Sequence, residues 1–242
     1  MPRGNGKSQM DDLAEFISMN ELLEKIALCV EYGKIDARVP YPPELQGEDG
    51  VDELTRRALE EGIAPADILQ QGLVAGMRNI GVKFRDNLVY VPQVLMSAKA
   101  MNIGMKHLKP YFASGAVKRR GTFIIGTVAG DLHDIGKNLV AIMIEGNGWE
   151  VVDLGTNVPT GKFLEAVGRH PGSIVGISAL LTTTMLNMES TIREIKAQYP
   201  RVPCIVGGAP LNAEFAKMIG ADAYSPDPQG AVDFLNNHHR GM

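Results

Sequence analysis

TFIIGT, at residues 122–127, is a short apolar run without alternating polar side chains. Such a run is typical of a parallel strand that is buried on both faces. A helical pattern follows at about 136–147, and 150–154 is the next apolar run. The same alternation predicts further strands at 173–178, 202–206 and 222–224, and helices at 160–169, 184–198, 211–219 and 229–238. Five strands that alternate with helices predict an α/β fold built on a doubly wound parallel sheet.

Before residue 113, helical periodicity replaces this pattern. Apolar side chains recur at helical spacing in four segments, at about 13–30, 51–61, 65–80 and 92–110, and a proline-rich loop at 36–50 joins the first two. Four such segments predict a four-helix bundle. The predicted organisation is therefore a polar tail at 1–10, a helical bundle at 11–116 and the sheet domain at 120–242.

The composition limits the classes of function. Of 242 residues, 45% are hydrophobic and 21% are charged, which is usual for a soluble globular protein. The net charge of −4 argues against a nucleic-acid partner, because nucleic-acid binders are usually basic. No apolar run approaches the ~20 residues that span a bilayer, and the start is polar, so we expect a cytoplasmic protein without a membrane partner. Cys29 and Cys204 lie in different predicted domains and are expected to be buried thiols.

The loop after the first predicted strand, GDLHDIG at 130–136, places a histidine two residues after an aspartate. His133 could bind a metal while Asp131 accepts a hydrogen bond from the other ring nitrogen. Alternatively, the aspartate could cap the following helix by accepting from its free amides. The local sequence leaves both interpretations open.

Hydroxyl residues and glycines follow the next strands of the predicted sheet. Ser178 ends the third strand, threonines occupy 182–184, and Gly207-Gly208 end the fourth strand. Ligands bind beyond the carboxyl ends of parallel strands, and paired glycines let a ligand approach the backbone closely. These residues could line one deep slot. The alternative is that the hydroxyls begin a helix and the glycines form a tight turn.

Three motifs and their spacing resemble the cobalamin-binding domains of the methionine synthase and corrinoid methyltransferase type. DLHDIG at 131–136 matches the pattern Asp-x-His-x-x-Gly, and 41 positions (137–177) separate it from Ser178-Ala179-Leu180. A further 26 positions (181–206) precede Gly207-Gly208. The stretch YVPQVLMSAKAM at 90–101 resembles the family's helical cap. The resemblance implies a four-helix cap bundle followed by a Rossmann-like, five-stranded cobalamin-binding domain.

The resemblance also implies roles for individual residues. His133 is the lower axial ligand of the cobalt, Asp131 holds its other ring nitrogen, and Thr184 is the hydroxyl partner of that aspartate. Tyr90 and Met96, with Val91 and Met101, shield the methyl-bearing face, although residues on a helical stripe are more often core. The implied contacts to the cofactor and its buried tail are Gly130, Asp131, Leu132, His133, Asp134, Gly136, Ser178, Leu180, Thr182, Gly207, Gly208 and Asp227.

The implied function is that of a corrinoid methyl carrier. One substrate-specific methyltransferase loads a methyl group onto the cobalt, and an acceptor methyltransferase removes it. Because cobalt(I) holds no axial base, His133 dissociates when the methyl leaves, and its imidazole takes up a proton beside Asp131. We expect no catalysis without these partner subunits, and a reductive activase is a further expected partner. Methanol and methylamines are candidate methyl donors. The stretch LTTTM at 181–185 resembles both the methanol-type and the methylamine-type shuttles and only weakly distinguishes between them.

Two other functions share the cobalamin motif. A cobalamin-dependent regulator usually carries a DNA-binding domain ahead of the bundle and a tryptophan within it, whereas Trp149 is the sole tryptophan here and lies in the sheet half. The carrier subunit of a carbon-skeleton mutase needs no methyl cap, and this chain has a predicted bundle. The methyl carrier therefore accounts best for both halves of the sequence.

Overall fold

A computed structural model describes residues 9–115 and 117–239, with side chains described for 19–112, 114, 115 and 117–238. Residues 1–8 of the predicted tail lie outside the described part. Contacts divide the chain into two units: one holds the residues up to 80 together with 92–118, and the other holds 81–91 and the residues from 119 onward. None of the described helices is long and apolar enough to cross a membrane.

The first unit is helical. Four helical segments match the four predicted ones, and the third is interrupted by a π-helical stretch between α3 and α4, which the periodicity of the sequence does not predict. The segments are α1 (Gln9–Tyr32), α2 (Val51–Glu60), α3 (Pro65–Asp67) with the π stretch Ile68–Leu73 and α4 (Val74–Arg85), and α5 (Val91–Ala113), with a short 3-10 turn at Pro43–Leu45.

Glycine allows α4 to pack closely on α1. A Cβ atom at Gly76 would lie 2.4 Å from the carbonyl oxygen of Ala27 on α1, which is closer than real Cβ atoms approach backbone. Ile26 and Val30 of α1 and Met77 of α4 are fully buried beside this contact. Burial of about 1.5–3 kcal/mol per large apolar side chain stabilises the packing of these helices.

Helix α5 ends later than predicted. Pro110 was expected to end the helix, but it lies inside α5, which continues to Ala113. Proline removes one amide donor from the helix, and this loss falls in the last turn, where few later hydrogen bonds remain to be disturbed.

The second unit contains the predicted doubly wound sheet. All five strands are parallel, in the order β2-β1-β3-β4-β5. The strand order therefore switches between β1 and β3, and the crevice beyond their carboxyl ends is the usual ligand site of such sheets. The strands are β1 (Thr122–Thr127), β2 (Glu150–Asp153), β3 (Ile174–Ser178), β4 (Cys204–Gly207) and β5 (Ala223–Ser225), and the helices are α6 (Ile135–Gly146), α7 (Thr160–Arg169), α8 (Thr182–Gln198), α9 (Ala213–Met218) and α10 (Pro228–His239).

Residues 81–91 group with the sheet because they pack on α10. A Cβ at Gly81 would overlap the side-chain oxygen of Gln229, so only glycine allows this approach. Arg85 Nη1 donates to Asp233 Oδ2 at 3.3 Å, one helical turn further along α10. The predicted bundle at 11–116 includes this segment, between its third and fourth helical segments.

Candidate functional site

Asp131 occupies the crevice between β1 and β3 and is fully buried. Its Oδ1 accepts from the His133 backbone N–H at 3.1 Å and contacts His133 Nδ1 at 2.7 Å. Its Oδ2 accepts from the Thr184 hydroxyl at 2.7 Å and from the backbone N–H of Leu180 at 2.8 Å and of Leu181 at 3.3 Å. One carboxylate therefore joins the loop after β1 to the loop after β3.

These donors keep Asp131 charged inside the protein. Burial alone raises the pKa of a carboxyl group, since it disfavours the charged form. Here the Leu180 N–H, the Thr184 hydroxyl and the two His133 donors more than offset that effect, and the pKa of Asp131 lies well below its usual range. A charged Asp131 can only accept, so the ring proton of His133 lies on Nδ1.

With the ring proton on Nδ1, Nε2 of His133 is the nitrogen that can offer a lone pair. The side chain is 50% exposed, although its partner Asp131 is buried. Within the described residues, Nε2 has no hydrogen-bond partner. An imidazole fixed by a carboxylate at one nitrogen and open at the other is the arrangement that metal-binding histidines usually have.

Backbone contacts set the shape of the loop that carries His133. Gly130 has a φ of 84°, in the left-handed region that favours glycine. The Thr127 hydroxyl, at the end of β1, donates to the His133 carbonyl at 2.8 Å. The N–H of Asp131 donates to the Val128 carbonyl at 3.1 Å. The loop therefore turns tightly and returns His133 to the end of its own strand.

The predicted strand-end residues lie in one row across the sheet. Thr127, Ser178, Gly207 and Ser225 are register partners on β1, β3, β4 and β5. At the next position, a Cβ on Gly208 would lie 1.8 Å from the Ala179 carbonyl oxygen. Gly208 is therefore required for the chain to pass the end of β3.

The other residues predicted to contact the cofactor lie in the loops that follow β1, β3 and β5 or at the starts of the next helices. Leu180 is in the loop that holds Asp131, and Thr182 is exposed at the start of α8. Asp134 and Gly136 are exposed around the start of α6, and Asp134 Oδ2 accepts from Asn138. Asp227 follows β5 at the sheet edge, where its Oδ1 accepts from the Gly230 N–H in the first turn of α10. Asp227 therefore caps the first turn of α10.

The residues predicted to shield the methyl group lie on α5 or directly before it. Tyr90 precedes α5 and is 72% exposed. Met96 is half-buried on α5. A Cβ atom added to Gly33 would lie 2.7 Å from the Cβ atom of Met96, so the two residues are in close contact. Met101 is buried in the helical unit, which is the alternative that its helical spacing left open.

The structure also shows polar residues that the sequence analysis missed. Asn157, after β2, bonds to Gly130 and Asp131, and Asn187 Nδ2 on α8 donates to the Ala129 carbonyl at 2.9 Å. The buried Lys137 Nζ donates to Asp153 Oδ2 at 2.5 Å and so ties α6 to β2. Asn157 and Asp153 lie at or after the carboxyl end of β2, which is the one signal that could have found them.

The residues around His133 fit a large, partly apolar cofactor. Leu132 and Ile135 flank the loop and are 73% and 78% exposed, and Leu180 is exposed on the facing loop. Large apolar side chains exposed together around one free imidazole nitrogen suit a flat apolar ligand with a central metal. These residues therefore fit a corrin ring.

The chain matches known cobalamin-binding families and corrinoid proteins. Residues 121–232 match the B12 binding domain family, and residues 47–109 match a second family of the same description. The chain is similar to dimethylamine corrinoid protein 3 of Methanosarcina acetivorans, with 39% identity over 187 residues, 76% of this chain and 87% of that protein. It is 40% identical over 185 residues to the trimethylamine corrinoid protein of Methanosarcina barkeri, covering 75% of this chain and 85% of that protein.

A solved structure gives the same result for the fold. The methanol:cobalamin methyltransferase complex of Methanosarcina barkeri contains a chain with a TM-score of 0.75 and 29% identity. The alignment covers 92% of this chain and 81% of that chain.

The helical unit, the doubly wound sheet and the free imidazole held by Asp131 define a cobalamin-binding protein. It binds cobalamin or a related corrinoid. The chain belongs to the family of corrinoid proteins of methylamine and methanol methyltransferase systems.

Proposed function

We propose that this protein carries a methyl group between two methyltransferases on a bound corrinoid, whose cobalt His133 would hold. The single observation that carries the proposal is the buried, charged Asp131 that fixes Nδ1 of a half-exposed His133. The relatives named for dimethylamine and trimethylamine favour a methylated amine as the donor, and the neighbour named for methanol makes methanol the second candidate.

Each residue of the set has a separate task. When bound, the corrinoid supplies a cobalt that holds and releases a methyl group. His133 offers Nε2 as the ligand atom, and Asp131 fixes the tautomer and raises the basicity of the ring. Thr184 donates to Oδ2 of Asp131, which leaves Oδ1 for the histidine. A proton taken up at Nε2 of an unligated His133 would form an imidazolium paired with Asp131.

The surrounding residues hold the cofactor and exclude water. We propose that Leu132 and Leu180 contact the ring with Gly130, Asp134 and Gly136. Ser178, Thr182, Gly207, Gly208 and Asp227 contact the buried tail, and Tyr90 and Met96 shield the methyl-bearing face from water. The proposed domain bounds are 11–116 for the helical domain and 120–242 for the sheet domain.

The protein works with methyltransferase partners, as the complex of its structural neighbour indicates. We propose a substrate-specific methyltransferase on the loading side, an acceptor methyltransferase on the unloading side, and a reductive activase. The proposed location is the cytoplasm. The similarities described above give a cobalamin-dependent regulator no support.

The test is methyl loading of the reconstituted holoprotein. The protein is reduced and offered trimethylamine, dimethylamine, monomethylamine or methanol, each with a candidate methyltransferase encoded beside it. We expect the absorption spectrum of methyl-cobalt with one donor and its loss when an acceptor methyltransferase and thiol are added. A holoprotein that is never methylated by any of these pairs would contradict the proposal.

A further inference from the structure

Asn157 lies after β2 in a conformation that asparagine adopts more readily than most residues. Its φ is 51°, in the left-handed region, and of the described residues other than glycine only Asn87 shares a positive φ. This conformation turns both the backbone N–H and the side chain of Asn157 toward the loop after β1.

Two hydrogen bonds connect Asn157 to the segment beside His133. The Asn157 Oδ1 accepts from the Gly130 N–H at 2.8 Å, and the Asn157 N–H donates to the Asp131 carbonyl at 2.8 Å. The same residue therefore holds the donor at the start and the acceptor at the end of the Gly130–Asp131 dipeptide. Neither bond involves the Asp131 carboxylate, which stays available to His133.

The opposite side of the loop is held by β3 and α8. Leu180 and Thr184 donate to the Asp131 carboxylate, and Asn187 donates to the Ala129 carbonyl. Asp131 is thus held through its main chain from the β2 side and through its side chain from the β3 side. Since Gly130 has a left-handed φ and glycine is the most flexible residue, this part of the loop depends on external contacts for its shape.

We infer that Asn157 is a positioning residue for His133. It contacts neither His133 nor, in this account, the cofactor, and it acts by fixing the backbone from which Asp131 holds the imidazole. The inference rests on the proposed role of His133 as cobalt ligand. Loss of the Asn157 side chain frees the Gly130 amide, so Asp131 and His133 together lose one constraint on their orientation.

The test compares three variants with matched backbones. Asn157→Gly tolerates the positive φ and removes only the side-chain acceptor, whereas Asn157→Asp keeps an oxygen at the same position. Asn87→Gly is the control, because Asn87 has a φ of 58° and lies on a different loop. Each protein is loaded with cobalamin and reduced to cobalt(II), whose paramagnetic resonance spectrum shows the nitrogen of its axial ligand.

Isotopically labelled imidazole then competes with His133 for the cobalt, and its different nuclear spin distinguishes the two ligands. One lost hydrogen bond changes an equilibrium about fivefold, so half-replacement in Asn157→Gly should need about one-fifth of the imidazole that the wild type needs. Asn157→Asp and Asn87→Gly should stay close to the wild type. Equal concentrations for Asn157→Gly and the wild type would overturn the inference while leaving His133 as the ligand.

A second measurement needs neither the cofactor nor a variant. In the apoprotein, the Gly130 amide should exchange with deuterium much more slowly than an exposed amide, because Asn157 accepts its hydrogen bond. Exchange at the rate of an exposed amide would overturn the inference. A wild-type cobalt spectrum without histidine nitrogen would instead contradict the proposed function itself.

Discussion

Asp131 is a buried carboxylate that stays charged because five donors surround it. An unpaired charge in this position would be very unfavourable. The donors come from the backbone of His133, Leu180 and Leu181 and from the side chains of His133 and Thr184. The alternative role that the sequence left open, a cap for the helix after the loop, is not what the structure shows. The donors to the carboxylate belong to the His133 loop, the loop after β3 and α8, and none of those donors lies in α6.

Replacement of Asp131 by asparagine should make the free energy of unfolding depend less on pH in the acidic range. An amide cannot accept from all the donors that face the carboxylate, and hydrogen bonds to charged groups contribute about 1.5–3 kcal/mol each. We therefore expect Asp131→Asn to lower the stability of the apoprotein by at least about 2 kcal/mol at pH 7. Urea unfolding monitored by circular dichroism measures this difference.

The sign of the pH dependence follows from the lowered pKa of Asp131. The stabilisation is complete above the pKa of an unfolded aspartate, about 4, and is lost as the pH falls through the lower folded pKa. The difference between wild type and Asp131→Asn should thus shrink as the pH falls below about 4. Asp86→Asn, at a half-exposed position, is the control and should change little. A difference that grows as the pH falls below about 4 would contradict this account.

The ends of β3 and β4 depend on Gly208 more than on Gly207. A Cβ at Gly208 would overlap the Ala179 carbonyl oxygen, and the φ of 142° disfavours any side chain. A Cβ at Gly207 would meet only the Ser225 carbonyl oxygen, at 3.3 Å. The two glycines look equivalent in sequence but differ in the packing they allow.

Alanine substitutions should separate the two glycines. Strain of this kind costs about 1–3 kcal/mol and the clash adds to it, so Gly208→Ala should strongly destabilise the second unit. Gly207→Ala should cost less than about 1 kcal/mol. Thermal unfolding of both apoproteins gives the comparison, and equal melting temperatures for the two variants would show that the close approach to Ala179 is not required.

Much of the sheet could be predicted because its strands are continuous apolar runs between amphipathic helices. The boundary of β4 moved from 202–206 to Cys204–Gly207, since Pro203 lacks the amide that a ladder needs. The positions of Asp131, Ser178 and Gly207 after successive predicted strands indicated that they lie at one edge of the sheet. In the structure, Ser178 and Gly207 are register partners at the carboxyl ends of β3 and β4.

The contribution of Asn157 could not be predicted in the same way. It depends on a left-handed φ and on a backbone N–H, neither of which the letters GTNVP at 155–159 specify. The π-helical stretch at Ile68–Leu73 could not be predicted from the sequence either, because its residues fit ordinary α-helical spacing equally well.

The two units have separate interiors, and each contains one buried cysteine. Cys29 lies in the helical unit and Cys204 in the sheet unit, both as free thiols, as the sequence predicted. Burial is the largest cause that raises the pKa of Cys29 to about 11 and that of Cys204 to about 12. Both groups are therefore protonated and inaccessible under native conditions.

Thiol labelling should report the opening of each unit. At pH 8 a disulfide reagent should label neither cysteine in the native apoprotein, and both should react in denaturant. Cys29→Ser leaves Cys204 as the reporter of the sheet unit, and Cys204→Ser leaves Cys29 as the reporter of the helical unit. Rapid labelling of either thiol in the native protein would contradict the buried positions described here.

In the proposed function, the sheet unit supplies the ligand set, and partner methyltransferases supply the chemistry of donor and acceptor. The most direct test of the central claim is the paramagnetic resonance spectrum of cobalt(II) in wild type and His133→Gly, each loaded with the same corrinoid. We predict nitrogen splitting from a histidine in the wild type, its loss in His133→Gly, and its return when imidazole is added to the variant. Identical spectra for the wild type and His133→Gly would contradict the assignment of His133 as the cobalt ligand.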